Sequence, residues 1–150
     1  MKKIIIAFLL IASLVACSEK KITTTVCEHD VENIAKRVNT IVAKGDIVTE
    51  MVAEVYSVGF INENDVIETV SMIVELHEEL ALRGVTAGYE YSFDPETTEF
   101  WSKESVVIDN EYMTYMKEVG MLSSDSKPSY FSLEAVVGSF ENQGFTCTVE

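Results

Sequence analysis

The chain contains 150 residues, of which 47% are hydrophobic and 24% are charged, as in folded globular proteins. It carries 11 lysine and arginine residues against 25 aspartate and glutamate residues, a formal net charge of −14 at pH 7. So acidic a chain lacks the basic footprint of nucleic-acid binders, and anionic lipid would repel it. The composition therefore excludes a nucleic-acid-binding protein and a domain that lies flat on an anionic membrane.

The N-terminus predicts a lipoprotein signal. Lys2 and Lys3 precede a short apolar run, and Leu14-Val15-Ala16-Cys17 resembles the lipobox of bacterial lipoproteins. The run, residues 4–16, is shorter than the ~20 residues that a helix needs to cross a membrane. We therefore expect cleavage that removes residues 1–16 and acylation of Cys17. The lipid would then hold the domain on the extracytoplasmic face of a bacterial membrane.

Cleavage would change both the charge and the cysteine count. Loss of Lys2 and Lys3 leaves nine basic residues against 25 acidic ones, a net charge of −16. This acidity is explained by solubility and repulsion from a negatively charged envelope, or alternatively by a cationic ligand or partner. Acylation of Cys17 leaves Cys27 and Cys147, which we expect to form a disulfide in an oxidising compartment; two buried free thiols are the alternative.

The first elements after the lipobox are a tether and a long hairpin. Residues 17–26 are short and polar and predict the tether, and residues 27–150 predict one globular domain. From Asn33 to Ala43 and again over residues 47–58 the chain alternates, and Lys44-Gly45-Asp46 between them predicts a turn. In the second run the predicted core-facing row is Ile47, Met51, Ala53 and Val55, opposite a row that holds Val48, Val52, Tyr56 and Val58 with Glu50 and Glu54.

A helix follows the first hairpin. Residues 62–65 offer several N-cap side chains, and Gly84 is placed to end the helix after Arg83. Helical spacing predicts a buried stripe of Val66, Val70, Ile73, His77, Leu80 and Ala81.

The rest of the chain predicts a second hairpin, two helices and a strand. Tyr89, Tyr91 and Phe93 alternate before a turn at residues 94–97, and residues 100–108 return. A short helix over residues 110–119 precedes a helix that Ser132 caps and Gly144 ends, and residues 145–149 add a strand. Hairpins interleaved with helices predict an α+β fold, a curved antiparallel sheet with about three helices packed against it.

Candidate site residues are few. His77 lies in the predicted buried stripe, where a hydrogen-bonded structural histidine is expected. Tyr89, Tyr91 and Phe93, with Trp101 on the return strand, are either sheet packing or a ligand-stacking surface, so His77, Tyr89, Tyr91 and Trp101 are candidates for a pocket. Cys27-Glu28-His29-Asp30 offers too few ligands for zinc, and we expect neither a metal site nor a cofactor.

No catalytic motif occurs in the sequence, neither a nucleophile elbow nor a phosphate-binding glycine loop. We therefore expect a non-enzymatic binding or interaction module whose partner is an envelope protein or a small cationic ligand. The alternatives are a structural or assembly subunit of an envelope complex, marked by a large exposed apolar patch, and a small hydrolase that uses His77 or His29.

Several features follow one another in a fixed order along the chain: the lipobox at Cys17, Gly45-Asp46-x-Val48, the helix after Asn64, Gly84-Val85 before a two-stranded segment, Val107-Ile108-Asp109, and the terminal helix ending at Gly144-Phe145. In the order and spacing of these features, the chain resembles the YehR-like family of small bacterial lipoproteins of unknown function. The resemblance implies a compact α+β fold and surface anchoring, and it transfers no active-site residues. Cys27 and Cys147 depart from the family pattern, so their disulfide rests on the cysteine count alone.

Overall fold

Six antiparallel strands and three helices form the fold in the computed structural model, which describes residues 20–32, 35–59, 63–123 and 130–150. The predicted signal peptide, the lipobox with Cys17, and Asn33 and Asn62 lie outside the described residues. The strands are β1 (Ile22–Val31), β2 (Ala35–Lys44), β3 (Ile47–Val58), β4 (Ala87–Asp94), β5 (Glu99–Val107) and β6 (Thr146–Val149), and the helices are α1 (Glu63–Leu82), α2 (Asn110–Glu118) and α3 (Leu133–Asn142). The sheet is open, with the order β4-β5-β3-β2-β1-β6, and the predicted α+β fold is confirmed.

β1 begins earlier than the domain boundary expected at Cys27. It starts at Ile22, which pairs with Lys44 at the far end of β2. Residues 22–26 are one isoleucine, three threonines and one valine, all β-branched side chains that favour a strand over a flexible tether. Residues 22–26, which were predicted to be the last part of the tether, therefore belong to the sheet. The tether ends before Ile22.

A β-bulge changes which side chains of β3 are buried. Glu50 pairs with Val42, yet Val48 pairs with Ala43, so Thr49 is an extra residue in the ladder. The extra residue reverses the alternation and places Val48 on the same face as Met51. Val48 is fully buried, so its predicted place in the half-polar row was wrong.

All three helices pack on one face of the sheet, which we call the helix face. α2 and α3 cover the side of the sheet near β1 and β6. The buried cluster there consists of Cys27, Ile41, Val48, Ile108, Met113 and Phe145, with Val136, Val137 and Phe140 of α3 packed against it. Ser132 caps α3 as predicted: its hydroxyl accepts a hydrogen bond from the backbone N–H of Ala135.

α1 covers the opposite side of the helix face, over β4 and β5. Val66 and Val70 pack against Phe100, and Tyr89 and Phe93 join this cluster. Leu80 is buried with Val85 and Tyr115. Ala81 is exposed, contrary to the predicted stripe, because a helix on a single sheet layer buries only a narrow face. Within the described residues, no helix has both the length and the apolarity needed to cross a membrane.

The predicted disulfide between Cys27 and Cys147 is confirmed. The two residues are directly paired across β1 and β6, with their Cα atoms 4.0 Å apart. Strand β6 has only four residues and lies at the sheet edge, so few backbone hydrogen bonds hold it. The bridge attaches this short edge strand covalently to the buried centre of β1.

Replacing both bridged cysteines, as Cys27→Ala/Cys147→Ala, should lower the free energy of unfolding by about 2–5 kcal/mol. The bridge spans a sequence separation of 120, so opening it releases a long loop of the unfolded chain. Urea denaturation followed by tryptophan fluorescence measures the change. As the control, a thiol reductant should destabilise the native protein to a similar extent and leave the double variant unaffected. Equal stability of the oxidised protein and the double variant would contradict a stabilising bridge.

Candidate functional site

Three of the four candidate pocket residues lie together where α1 meets β4. The rings of His77 and Tyr89 are 5.7 Å apart between centroids, and Tyr89 stacks on Tyr91 at 5.9 Å. The Nε2 atom of His77 lies 3.7 Å from a carboxylate oxygen of Glu104 on β5. The helical spacing of His77 and the alternation of the tyrosines therefore converge on one cluster.

The His77 and Tyr89 side chains of this cluster are packed, whereas Tyr91 is half exposed. His77 Nδ1 is buried and has no hydrogen-bond partner in the structure. Burial raises the pKa of the Tyr89 phenol above its ordinary value, and the negative charge of Glu104 raises it further. Tyr89 also contacts the core under α1. His77 and Tyr89 therefore serve to dock α1 on the sheet.

Trp101 lies on the other face of the sheet, which we call the outer face. In the register of the second hairpin, Ser102 pairs with Tyr91 and Trp101 pairs with Ser92. Because side chains alternate along a strand, Trp101 points away from the tyrosine row. The grouping of Trp101 with His77, Tyr89 and Tyr91 was therefore wrong.

On the outer face, Trp101 forms a different aromatic pair. Its ring lies 6.5 Å from the ring of Tyr56 on the neighbouring strand β3. The Trp101 indole N–H and the Tyr56 hydroxyl both donate to the same carboxylate oxygen of Glu54, at 3.4 and 3.1 Å. The shared acceptor holds the orientation of both rings.

The Tyr56–Trp101 pair forms part of a cleft of about 590 Å³ at one end of the sheet. We call it the end cleft; its lining residues are Asp30, Val31, Ala35, Lys36, Tyr56, Ser57, Val58, Ser92, Phe93, Asp94, Glu99, Phe100 and Trp101. This volume is within the ~300–1,000 Å³ range of small-molecule sites.

The strand register explains why these residues meet. They form three successive cross-strand rows at the end of β1 to β5. The first row is Asp30, Lys36, Tyr56, Trp101 and Ser92 on the outer face; the second is Val31, Ala35, Ser57, Phe100 and Phe93 on the helix face; the third is Val58, Glu99 and Asp94 at the rim. The end cleft thus combines side chains from both faces of the sheet.

The charges of the end cleft are mostly negative. Asp30, Asp94 and Glu99 line it together with one cation, Lys36. The Lys36 ammonium lies 3.1 Å from the carboxylate of Glu28, which offsets its charge. The backbone N–H of Glu96 donates to Asp94 at 2.8 Å and holds the pKa of Asp94 below its ordinary value, so this carboxylate is ionised at neutral pH.

Other candidate features lie outside both the cluster around His77 and the end cleft. His29 packs against Phe145, with ring centroids 5.1 Å apart. In the parts of the chain that the structure covers, no group of three or more His, Cys, Asp or Glu residues could hold a metal ion. α1 exposes several large apolar side chains, namely Ile67, Met72, Val74, Leu76 and Leu82.

No family model and no curated protein matches the chain. The chain is similar to the solved NMR structure of a protein from Streptococcus pneumoniae TIGR4, with 13% sequence identity, 99% of this chain and 96% of that chain covered, and a TM-score of 0.48.

Tyr89 makes the stability of the domain depend on pH in the alkaline range. Its pKa is raised in the folded protein, so the folded state binds this proton more tightly than the unfolded state, whose pKa is about 10. The free energy of unfolding should therefore fall as the pH rises above about 10. In Tyr89→Phe this fall should be shallower, as measured by urea denaturation across that range.

The control is Tyr130→Phe, because Tyr130 is exposed and, unlike Tyr91, is not among the groups that raise the pKa of Tyr89. Its alkaline decline should equal that of the native protein. Part of the fall in the free energy of unfolding above about pH 10 persists in every variant, since burial also raises the pKa of Tyr112. An unchanged decline in Tyr89→Phe would contradict the role of the Tyr89 phenol.

Proposed function

We propose that this protein is a non-enzymatic binding module, lipid-anchored on the extracytoplasmic face of a bacterial membrane, which takes its ligand in the end cleft. One observation carries the proposal: the end cleft and the start of β1 lie at opposite ends of the sheet. The lipobox sequence at Cys17 and the membership of a YehR-like family are parts of the same proposal.

The contacts of the first described residues place the start of β1. The backbone N–H of Gly45, in the turn between β2 and β3, donates to the carbonyl of Lys21 at 2.9 Å. Ile22 pairs with Lys44, whereas Val31 at the other end of β1 lines the end cleft. At ~3.3 Å per residue, the ten residues of β1 separate the two ends by about 30 Å.

The short connection to Cys17 then gives the domain an orientation. Three peptide steps separate Cys17 from Lys20, a reach of about 10 Å when extended. An acyl group on Cys17 would hold the β2–β3 turn near the lipid surface. The end cleft would then open away from the membrane, where an envelope ligand can reach it.

The redox and charge properties are compatible with this location. Disulfides persist in extracytoplasmic compartments and are rare in the reducing cytosol, and this domain contains one between Cys27 and Cys147. The net charge of −14 favours solubility beside a negatively charged envelope.

The lipid anchor is tested by Cys17→Ser in the full chain. The native protein should sediment with membranes and incorporate labelled palmitate in a bacterial host. The variant should incorporate no label and should remain associated only through its uncleaved signal segment, visible as a higher mass. Cys27→Ser is the control, because it keeps the lipobox and should still be labelled. Labelling of Cys17→Ser equal to that of the native protein would refute the anchor.

The orientation is tested by the single tryptophan of the chain, Trp101. In vesicles that hold the lipidated protein, brominated lipid quenches only tryptophans close to the bilayer. Trp101 fluorescence should be little quenched, because the end cleft lies far from Cys17. The control is Trp101→Phe/Ile22→Trp. It places the tryptophan at the exposed position 22, at the end of β1 that lies away from the end cleft, where quenching should be stronger. Stronger quenching of Trp101 than of the relocated tryptophan would reverse the orientation.

A further inference from the structure

We propose that the end cleft selects a small organic cation that carries an ammonium group on an apolar body. This inference names the ligand class of the same site, so it rests on the proposed function. It is drawn from the aromatic pair on the outer face, the three carboxylates of the lining and the apolar side chains beside them.

The aromatic pair provides a face for a cation. Tyr56 is 45% exposed, and its ring lies beside that of Trp101 at the mouth of the cleft. Tryptophan and tyrosine rings attract ammonium groups within about 6 Å of the ring centroid. Glu54 receives hydrogen bonds from both rings, so the aromatic face is held in place before a ligand arrives.

The three lining carboxylates provide charge complementarity. Asp30, Asp94 and Glu99 come from three different strands and line one cleft. Lys36 is the one cationic side chain among the lining residues, and its partner Glu28 lies just outside them. A cation in the cleft therefore meets an excess of negative charge, whereas an anion meets three carboxylates.

The apolar side chains of the lining provide the surface for an apolar body. Phe93 and Phe100 lie on the helix face and pack under Val66 and Val70 of α1, so their rings are held firmly. Val31 and Val58 border the same cleft. An uncharged apolar group attached to the ammonium can contact these side chains, which removes its surface from water.

The volume limits the size of the ligand. About 590 Å³ accommodates a small molecule and is too small for a folded partner. The lining carboxylates are exposed to solvent, so each exposed charge pair contributes at most about fivefold in affinity. Selectivity should therefore come from the combination of ring contact and several carboxylates.

Three size-matched probes test the inference: 2-phenylethylammonium, its neutral analogue 2-phenylethanol and the anion 3-phenylpropanoate. Titration of the intact protein is followed by the fluorescence of Trp101, the only tryptophan, and by calorimetry. We expect the cation to bind about fivefold or more tightly than the neutral probe, and the anion to bind most weakly. Added salt should weaken the binding of the cation and leave the binding of the neutral probe unchanged.

Charge-neutral variants locate the effect. Asp30→Asn/Glu99→Gln should lower the affinity for the cation by about five- to tenfold and leave the affinity for the neutral probe unchanged. The matched control is Glu90→Gln, which removes an exposed carboxylate from β4 outside the cleft lining and should preserve cation affinity. Lys36→Met should strengthen cation binding, because it removes the competing positive charge.

The outcomes separate this inference from the proposed function. If the neutral and cationic probes bind with equal affinity and Asp30→Asn/Glu99→Gln has no effect, cation selection is overturned. The cleft would then remain a ligand site. Equal weakening in Glu90→Gln would also overturn it, since the effect would then come from the overall charge. Failure of all three probes to bind would overturn the end cleft as a ligand site, whereas the lipid anchor is tested independently at Cys17.

Discussion

The antiparallel pairing of β3 with both β2 and β5 is the constraint on which the rest of the structure depends. These ladders place two hairpins, which are formed by separate parts of the chain, side by side in one sheet. Because side chains alternate, the register of β3 decides which residues of every other strand face the helices. The helix-face core and the end cleft are two consequences of the same register.

The helix face shows how little core this arrangement provides. α1 packs over β4 and β5, α3 packs near β1 and β6, and α2 lies between them with Met113 in one cluster and Tyr115 in the other, so each helix buries its apolar side against one layer. A domain of this size with a divided core has limited hydrophobic stabilisation. The Cys27–Cys147 bridge adds stability without more core, because it restricts the unfolded chain and holds the short strand β6.

The candidate site shows the same dependence on register. The tyrosine row of β4 and Trp101 of β5 are close in sequence, and both are aromatic residues in one hairpin. The four-residue turn after Asp94 pairs Ser92 with Trp101, which separates the two aromatic groups onto opposite faces. Tyr89 consequently packs under α1 with His77, while Trp101 meets Tyr56 from a distant part of the chain.

Local pattern in the sequence by itself determined the identity of nearly every element: the two hairpins, the three helices and the Ser132 cap. Periodicity and capping depend on neighbours in the chain, so they can be recognised without a structure. Only the tertiary structure decided where β1 begins, how the bulge at Thr49 buries Val48, and that residues from five strands meet in the end cleft. Those features depend on pairing between distant segments, because no local property of Tyr56, Asp30 or Glu99 specifies which strand lies beside it.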